Sequence, residues 1–97
     1  MYSAVYAVSE VALLVERDKL VKSFARWLAN LPPEYSSKRY YFEKYRNAAK
    51  VVEKLKQFRG TLICPFCGRK FNKVSGYVTH IISAHLHDIE ELFRGGQ

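Results

Sequence analysis

The sequence predicts a mainly α-helical protein with a small hairpin-plus-helix module near its C-terminal end. Three observations carry that expectation. Apolar residues recur at helical spacing over positions 1–59, the run Leu31-Pro32-Pro33 interrupts them, and from Thr61 the pattern becomes short, β-prone and cysteine-bearing. The 97 residues leave room for one modest domain, or for a small helical unit joined to a smaller module that needs its own staple. Hydrophobic residues make up 48% and charged residues 26%, the balance of a folded chain and not of a disordered tail.

The first element is expected between Ser3 and Asn30, where Val8, Val11, Ala12 and Val15, then Leu20, Phe24, Leu28 and Leu31, fall at helical spacing. This is one helix or two, because the charged run Glu16 to Lys19 reads either as a polar turn or as an exposed face. Pro32 and Pro33 end it, since proline cannot continue a helix and pushes the preceding residue out of the helical region. Ser36 or Ser37 is placed to cap the next helix, whose apolar stripe reads Tyr41, Tyr45, Ala48, Val52, Leu55. That stripe needs a partner. The first helical segment would give an N-terminal helical hairpin across the Pro-Pro turn; the same stripe on a second copy would give a homodimer through the N-terminal helices. Gly60 is placed to close the helix and to separate a helical region, 1–59, from a second unit, 60–94.

Charge is distributed unevenly. The net charge is +7, yet from Met1 to Glu34 four basic residues cancel four acidic ones, whereas from Tyr35 to His80 eleven basic residues face only Glu43 and Glu53. Lys38, Arg39, Lys44, Arg46, Lys50, Lys54, Lys56 and Arg59 fall mostly off the apolar stripe, so the helix is expected to be basic on its open face, with Tyr40 free for a surface role. Such a block suits a polyanion, most often nucleic acid. The start of the chain lacks a basic n-region and its apolar runs are far shorter than a membrane span, which predicts an intracellular protein with no membrane partner. Lys, Arg, Glu and Tyr are plentiful while Asn, Gln, Cys and Met are few, a composition that leans towards a hyperthermophile source.

The two cysteines lie too close together for a secreted disulfide scaffold, and histidines follow them. The spacing Cys64-x2-Cys67-x12-His80-x4-His85 lies within the range of a tetrahedral zinc site with thiolates from a hairpin and imidazoles from a helix. Four protein ligands would leave no open position for a reacting water, so the one Zn2+ expected here is structural. His87 would need a six-residue gap after His80 and reads as a surface histidine. No nucleophile and base pair or carboxylate dyad stands out, which argues against an enzyme.

The segment Cys-Pro-Phe-Cys-Gly-Arg-Lys-Phe, with Tyr77 three residues before His80, resembles the C2H2 zinc finger family over residues 62–85. Leu62 stands where the family usually has an aromatic, and Tyr77 where it has leucine; the four-residue gap between the histidines is a less common variant that should distort the helix at the second ligand. The resemblance implies a ββα fold with Phe71 and Tyr77 beside the metal and Asn72 as a candidate helix cap. Ile81, Ile89, Leu92 and Phe93 continue an apolar face beyond His85, so the helix is expected to extend until Gly95-Gly96 and to dock on the N-terminal helices.

In that family the finger helix enters the major groove of DNA. Carried onto this chain, the contact positions are Lys73, Ser75, Gly76 and Thr79, with Gly76 offering no side chain. Arg69 and Lys70, together with Lys38, Arg39, Lys44 and Arg46, would supply phosphate contacts. The expectation is a zinc-dependent protein that binds duplex DNA as a small transcription regulator, of the kind found in archaea and their viruses. RNA binding and a protein-binding module with the acidic patch Asp88, Glu90, Glu91 stand as alternatives.

Overall fold

The computed structural model describes the backbone of residues 2–33 and 38–95 and the side chains of residues 14–33 and 38–94. The expected caps Ser36 and Ser37 and the expected stripe residues Val8, Val11 and Ala12 lie outside the described residues or side chains. Among the described residues four α-helices follow in order: α1 (Tyr2–Leu28), α2 (Ala48–Leu55), α3 (Val74–Ala84) and α4 (Leu86–Glu90). Single 3-10 turns at Tyr41–Lys44 and Lys56–Phe58 flank α2, and a π-helical turn, Glu91–Gly95, follows α4. Among the described residues no helix is long and apolar enough to cross a membrane.

Helix α1 runs without a break through the charged segment Glu16 to Lys19, which is therefore an exposed stretch of one helix. Its end is chemically specified. Asn30 adopts the left-handed conformation, φ +63°, which asparagine tolerates better than most residues. The Leu31 N–H then reaches the Arg26 carbonyl at 2.8 Å and the Asn30 N–H the Trp27 carbonyl at 3.0 Å, the paired bonds of a Schellman cap. The prolines follow where the helix could not have continued. The Gly60 N–H takes a further orphaned carbonyl, that of Leu28, at 2.8 Å, and Gly60 does so at φ +81°, where a side chain would be strained.

The core sits on the second half of α1. Leu20, Val21, Phe24, Ala25 and Leu28 are fully buried, while Leu14 and Val15 on the preceding turns are exposed. The Phe24 ring stacks on Trp27 and meets Phe42 and Phe93 edge-on, with centroids 5.2–5.5 Å apart, the offset and edge arrangements that aromatic quadrupoles favour. Tyr77, Ile81 and Ile89 from α3 and α4 and Cys64 from the preceding turn belong to the same buried cluster. The C-terminal helices thus dock directly on α1.

The expected arrangement is corrected in two respects. First, the N-terminal helical hairpin is not built: α2 is only eight residues long and packs chiefly on the 3-10 turn and the C-terminal π turn, while α1 packs on the 3-10 turn, α3 and α4. The buried stripe is Phe42, Ala48, Val51 and Leu55, with Tyr41, Tyr45 and Val52 only half-buried. Phe42 displaces Tyr41 because its ring fills the aromatic cluster with no hydroxyl to satisfy, and the Ser23 hydroxyl accepts its backbone N–H at 3.2 Å.

Second, there is no β-strand among the described residues, and the ββα sheet is absent; one isolated antiparallel bridge, Ile63 to Lys70, stands in its place. The cause is local. Leu62 sits in the left-handed region at φ +61°, and the Thr61 hydroxyl ties Phe58 to Ile63, so the backbone before Cys64 is bent and not extended. On the other side residues 64–68 are used up by a tight turn with Gly68 at φ +79°. Between the two bends the pairing has no room to propagate.

Candidate metal centre

Cys64 and Cys67 lie on the tight turn, where the Cys64 N–H donates to the Arg69 carbonyl and the Gly68 N–H to the Cys64 carbonyl, both at 2.8 Å. The Phe71 N–H, 2.9 Å from the Leu62 carbonyl, ties the outer ends of the segment together. His80 lies within α3, and His85 at the break between α3 and α4, with φ −124° and ψ 26°. The extra residue in the histidine spacing is thus absorbed as a break in the helix, and Lys73, not Asn72, occupies its N-cap position.

These elements bring the four side chains together. The ligand atoms of Cys64, Cys67, His80 and His85 all lie within 4.8 Å of one another. A tetrahedral ion with bonds of about 2.0–2.3 Å would hold its ligands roughly 3.3–3.8 Å apart, so a small inward adjustment closes the set. Cys67 Sγ already lies 3.4 Å from His80 Nε2. His85 Nε2 is buried with no hydrogen-bond partner, an unpaired ring nitrogen that a metal ion would satisfy. Cys64 is fully buried and Cys67 exposed. The four residues could therefore hold a metal ion, and the donor set of two thiolates and two imidazoles suits a borderline-soft divalent metal.

The electrostatics differ across the pair of thiols. Burial pushes the Cys64 thiol up. Cys67 is pulled down to about 6, chiefly by the Arg69 backbone N–H and then by the two histidines. Burial acts to lower the His85 imidazole, but Asp88 and Cys67 outweigh it and hold the ring above its ordinary value. Tyr77, whose hydroxyl donates to the Ile63 carbonyl at 3.0 Å, is pushed up to about 12 by burial and then by Cys64. Aromatic walls complete the site: Phe66 stacks on His85 with centroids 4.9 Å apart, and Phe71 packs against His80 at 4.8 Å. His87 points away, with its side chain 86% exposed, and is not part of the cluster.

The residues expected to meet nucleic acid fall into two sets. Arg69, Lys70, Lys73, Ser75 and Thr79 are all exposed on the turn and on the outer face of α3, opposite the buried Tyr77 and Ile81. Lys38, Arg39, Lys44 and Arg46 are exposed around the 3-10 turn. In that second set Lys44 is engaged: its ammonium donates to the Tyr41 hydroxyl at 2.7 Å, lies 4.2 Å from the ring centroid and pairs with Glu16 at 3.6 Å. Arg59 is structural, donating to the Trp27 carbonyl at 2.9 Å and to the Tyr40 hydroxyl at 3.0 Å. Tyr40 itself donates to the Leu31 carbonyl and stacks on Phe42, so the surface role expected for it is not available. Asp88, which sequence reasoning treated only as part of an acidic patch, lies against His85; the available signal was its position three residues after a ligand on a helix.

No protein-family model, curated protein or solved structure matches the chain.

Proposed function

We propose that Cys64, Cys67, His80 and His85 hold one structural Zn2+, and that the module so formed presents α3 to duplex DNA. The observation that carries the DNA reading is the character of the outer face. From Thr61 to His87 the chain contains no carboxylate; Arg69, Lys70 and Lys73 are exposed on the turn before α3, and Ser75, Gly76 and Thr79 are small exposed residues on its outer face, beside the exposed Asn72 and Val74. Small side chains let a helix approach groove edges closely, and cations beside them neutralise phosphates. A cationic helix end enters a groove, whereas a carboxylate there would be repelled.

Lys73 is placed to donate to guanine acceptors, and Thr79 to contact a base edge or a thymine methyl; Gly76 contributes no contact, so base selection is weak. Two of the three carboxylates that would recommend a protein partner are engaged within the chain. Asp88 meets His85 at 2.8 Å, and Glu90 lies 3.8 Å from Arg94 and 3.9 Å from His87. The function that follows is that of a small transcription regulator.

The test is binding of the zinc-loaded protein to duplex DNA, single-stranded DNA and RNA at two salt concentrations. Preference for duplex with a steep loss at higher salt is expected, and Lys73→Ala should relax sequence preference by roughly 1–3 kcal/mol at one base position if Lys73 reads a base. Equal or better binding to single strands redirects the reading to RNA, and no binding to any of the three overturns it.

A further inference from the structure

We propose that Asp88 is a positioning residue of the metal centre: its carboxylate accepts a hydrogen bond from His85 Nδ1–H, keeps the ring proton on that nitrogen and thereby commits the ring to ligate through Nε2. This inference rests on the metal reading above and names the group that orients one of its ligands.

The geometry is specific. Asp88 Oδ2 lies 2.8 Å from His85 Nδ1, a hydrogen-bond distance at which a protonated Nδ1 donates to the carboxylate. On the opposite side of the same ring, Nε2 is buried and has no hydrogen-bond partner, and the ring belongs to the cluster in which one nitrogen of His85 lies within 4.8 Å of the ligand atoms of Cys64, Cys67 and His80. A neutral imidazole carries a single ring proton, so placing it on Nδ1 leaves the Nε2 lone pair free for a metal ion. The alternative tautomer would put a proton where the ion must sit, and would leave the Asp88 carboxylate facing a second acceptor.

The ring has little other freedom. Phe66 stacks on one face with planes 26° apart, and the His80 ring meets it at 75° with centroids 5.0 Å away. The side chain of His85 is 12% exposed, whereas that of Asp88 is 56% exposed, so the carboxylate stays hydrated while holding a buried ring. The break at His85 makes the contact possible. With His85 ending α3 and α4 starting at Leu86, Asp88 is the third residue of the new helix and its carboxylate comes back to the residue just before it. The same place in the helix allows a competing role, in which Asp88 merely favours the first turn of α4.

The experiment separates the two. Wild type, Asp88→Asn and Asp88→Ala are titrated with Co2+ and then Zn2+ against a competing chelator, with the cobalt visible spectrum recorded. Asp88→Ala should bind about 10–100-fold more weakly, Asp88→Asn less so because its amide oxygen still accepts the hydrogen bond from Nδ1–H, and the cobalt ligand-field bands should change while the thiolate charge-transfer band remains. In a His85→Ala background Asp88→Ala should cost nothing further, because its target is gone. Should His85→Ala fail to fold, the ring nitrogens of zinc-loaded protein report directly by NMR: a protonated Nδ1 in wild type, with exchange of that proton accelerated in Asp88→Ala. Unchanged affinity and spectrum in Asp88→Ala, or an equal loss in the His85→Ala background, overturns the inference. Failure of the wild type to bind either ion removes the metal reading itself and this inference with it.

Discussion

The aromatic cluster on α1 and the cysteine-histidine turn lie in one continuous core, yet they are held by different means. Around Phe24, the rings of Trp27, Phe42 and Phe93 enclose one another, and Leu20, Val21 and Leu28 complete an apolar centre that is fully buried. Nothing but side-chain volume is required there. The turn from Thr61 to Lys73 contributes one fully buried residue, Cys64, and one isolated bridge, and its backbone is bent at Leu62 and Gly68. So little buried apolar surface cannot offset the entropy of ordering such a segment. Under the zinc reading the ion supplies what packing does not.

The most severe way to break the comparison is to withdraw the ion. Chelation, or Cys64→Ser, should remove a contribution on the order of 10 kcal/mol or more from the turn. Amide hydrogen exchange is expected to lose protection over residues 61–80 while residues 20–28 keep much of theirs. A turn that stays protected after chelation would show that packing alone holds it.

Next in size is damage to the other region. Phe24→Ala should cost about 3–5 kcal/mol, because the ring is fully buried and its neighbours cannot all collapse into the space. Urea unfolding would read the loss as a lower midpoint. The cobalt spectrum of the protein still folded should be unaltered; a changed spectrum would mean that the aromatic core also sets the ligand geometry.

The smallest effect concerns the two thiols. Cys67, held down at about 6, is already a thiolate at neutral pH, whereas burial leaves Cys64 protonated to a higher pH than an ordinary cysteine. A metal takes the thiolate, so the metal-free protein binds the extra proton and its competition weakens as pH rises. Zinc affinity should therefore increase by about tenfold per pH unit between roughly pH 7 and 9, one proton leaving per ion, and steepen below that as the raised His85 also binds a proton. Competition titrations across that range measure the slope. A flat profile would mean that Cys64 is as acidic as Cys67.

How much of this could be read from the residues follows the range of the interactions. A stop near the end of α1 was legible because Pro32 and Pro33 are a local instruction; that the helix already ends at Leu28, capped through the left-handed Asn30, was not. The four residues of the metal cluster were legible for the same reason: their spacing on a turn and a helix brings them together with little help. The sheet was misjudged because β-prone composition says nothing about the left-handed Leu62 that interrupts it. Of the expected apolar stripe Ala48 and Leu55 are buried, but Phe42 replaces Tyr41 and Val51 replaces Val52, because neighbouring positions fit the pattern equally and only the contact with Phe24 selects Phe42. Arg59 and Lys44 were counted as available cations, and no pattern along the chain tells that Trp27, Tyr40, Tyr41 and Glu16 engage them.

The residues alone pointed to the cluster Cys64, Cys67, His80, His85, the helical character of most of the chain and a break at Pro32-Pro33, since each depends on neighbours a few positions apart. The tertiary structure decided that α3 and α4, not α2, cover α1, that the turn carries a single bridge instead of a sheet, and that Asp88 reaches His85 across a helix break. The first depends on which distant surfaces compete for the same buried space, resolved only once the whole chain has folded; the other two depend on backbone bends at Leu62, Gly68 and His85 that residue type alone does not specify.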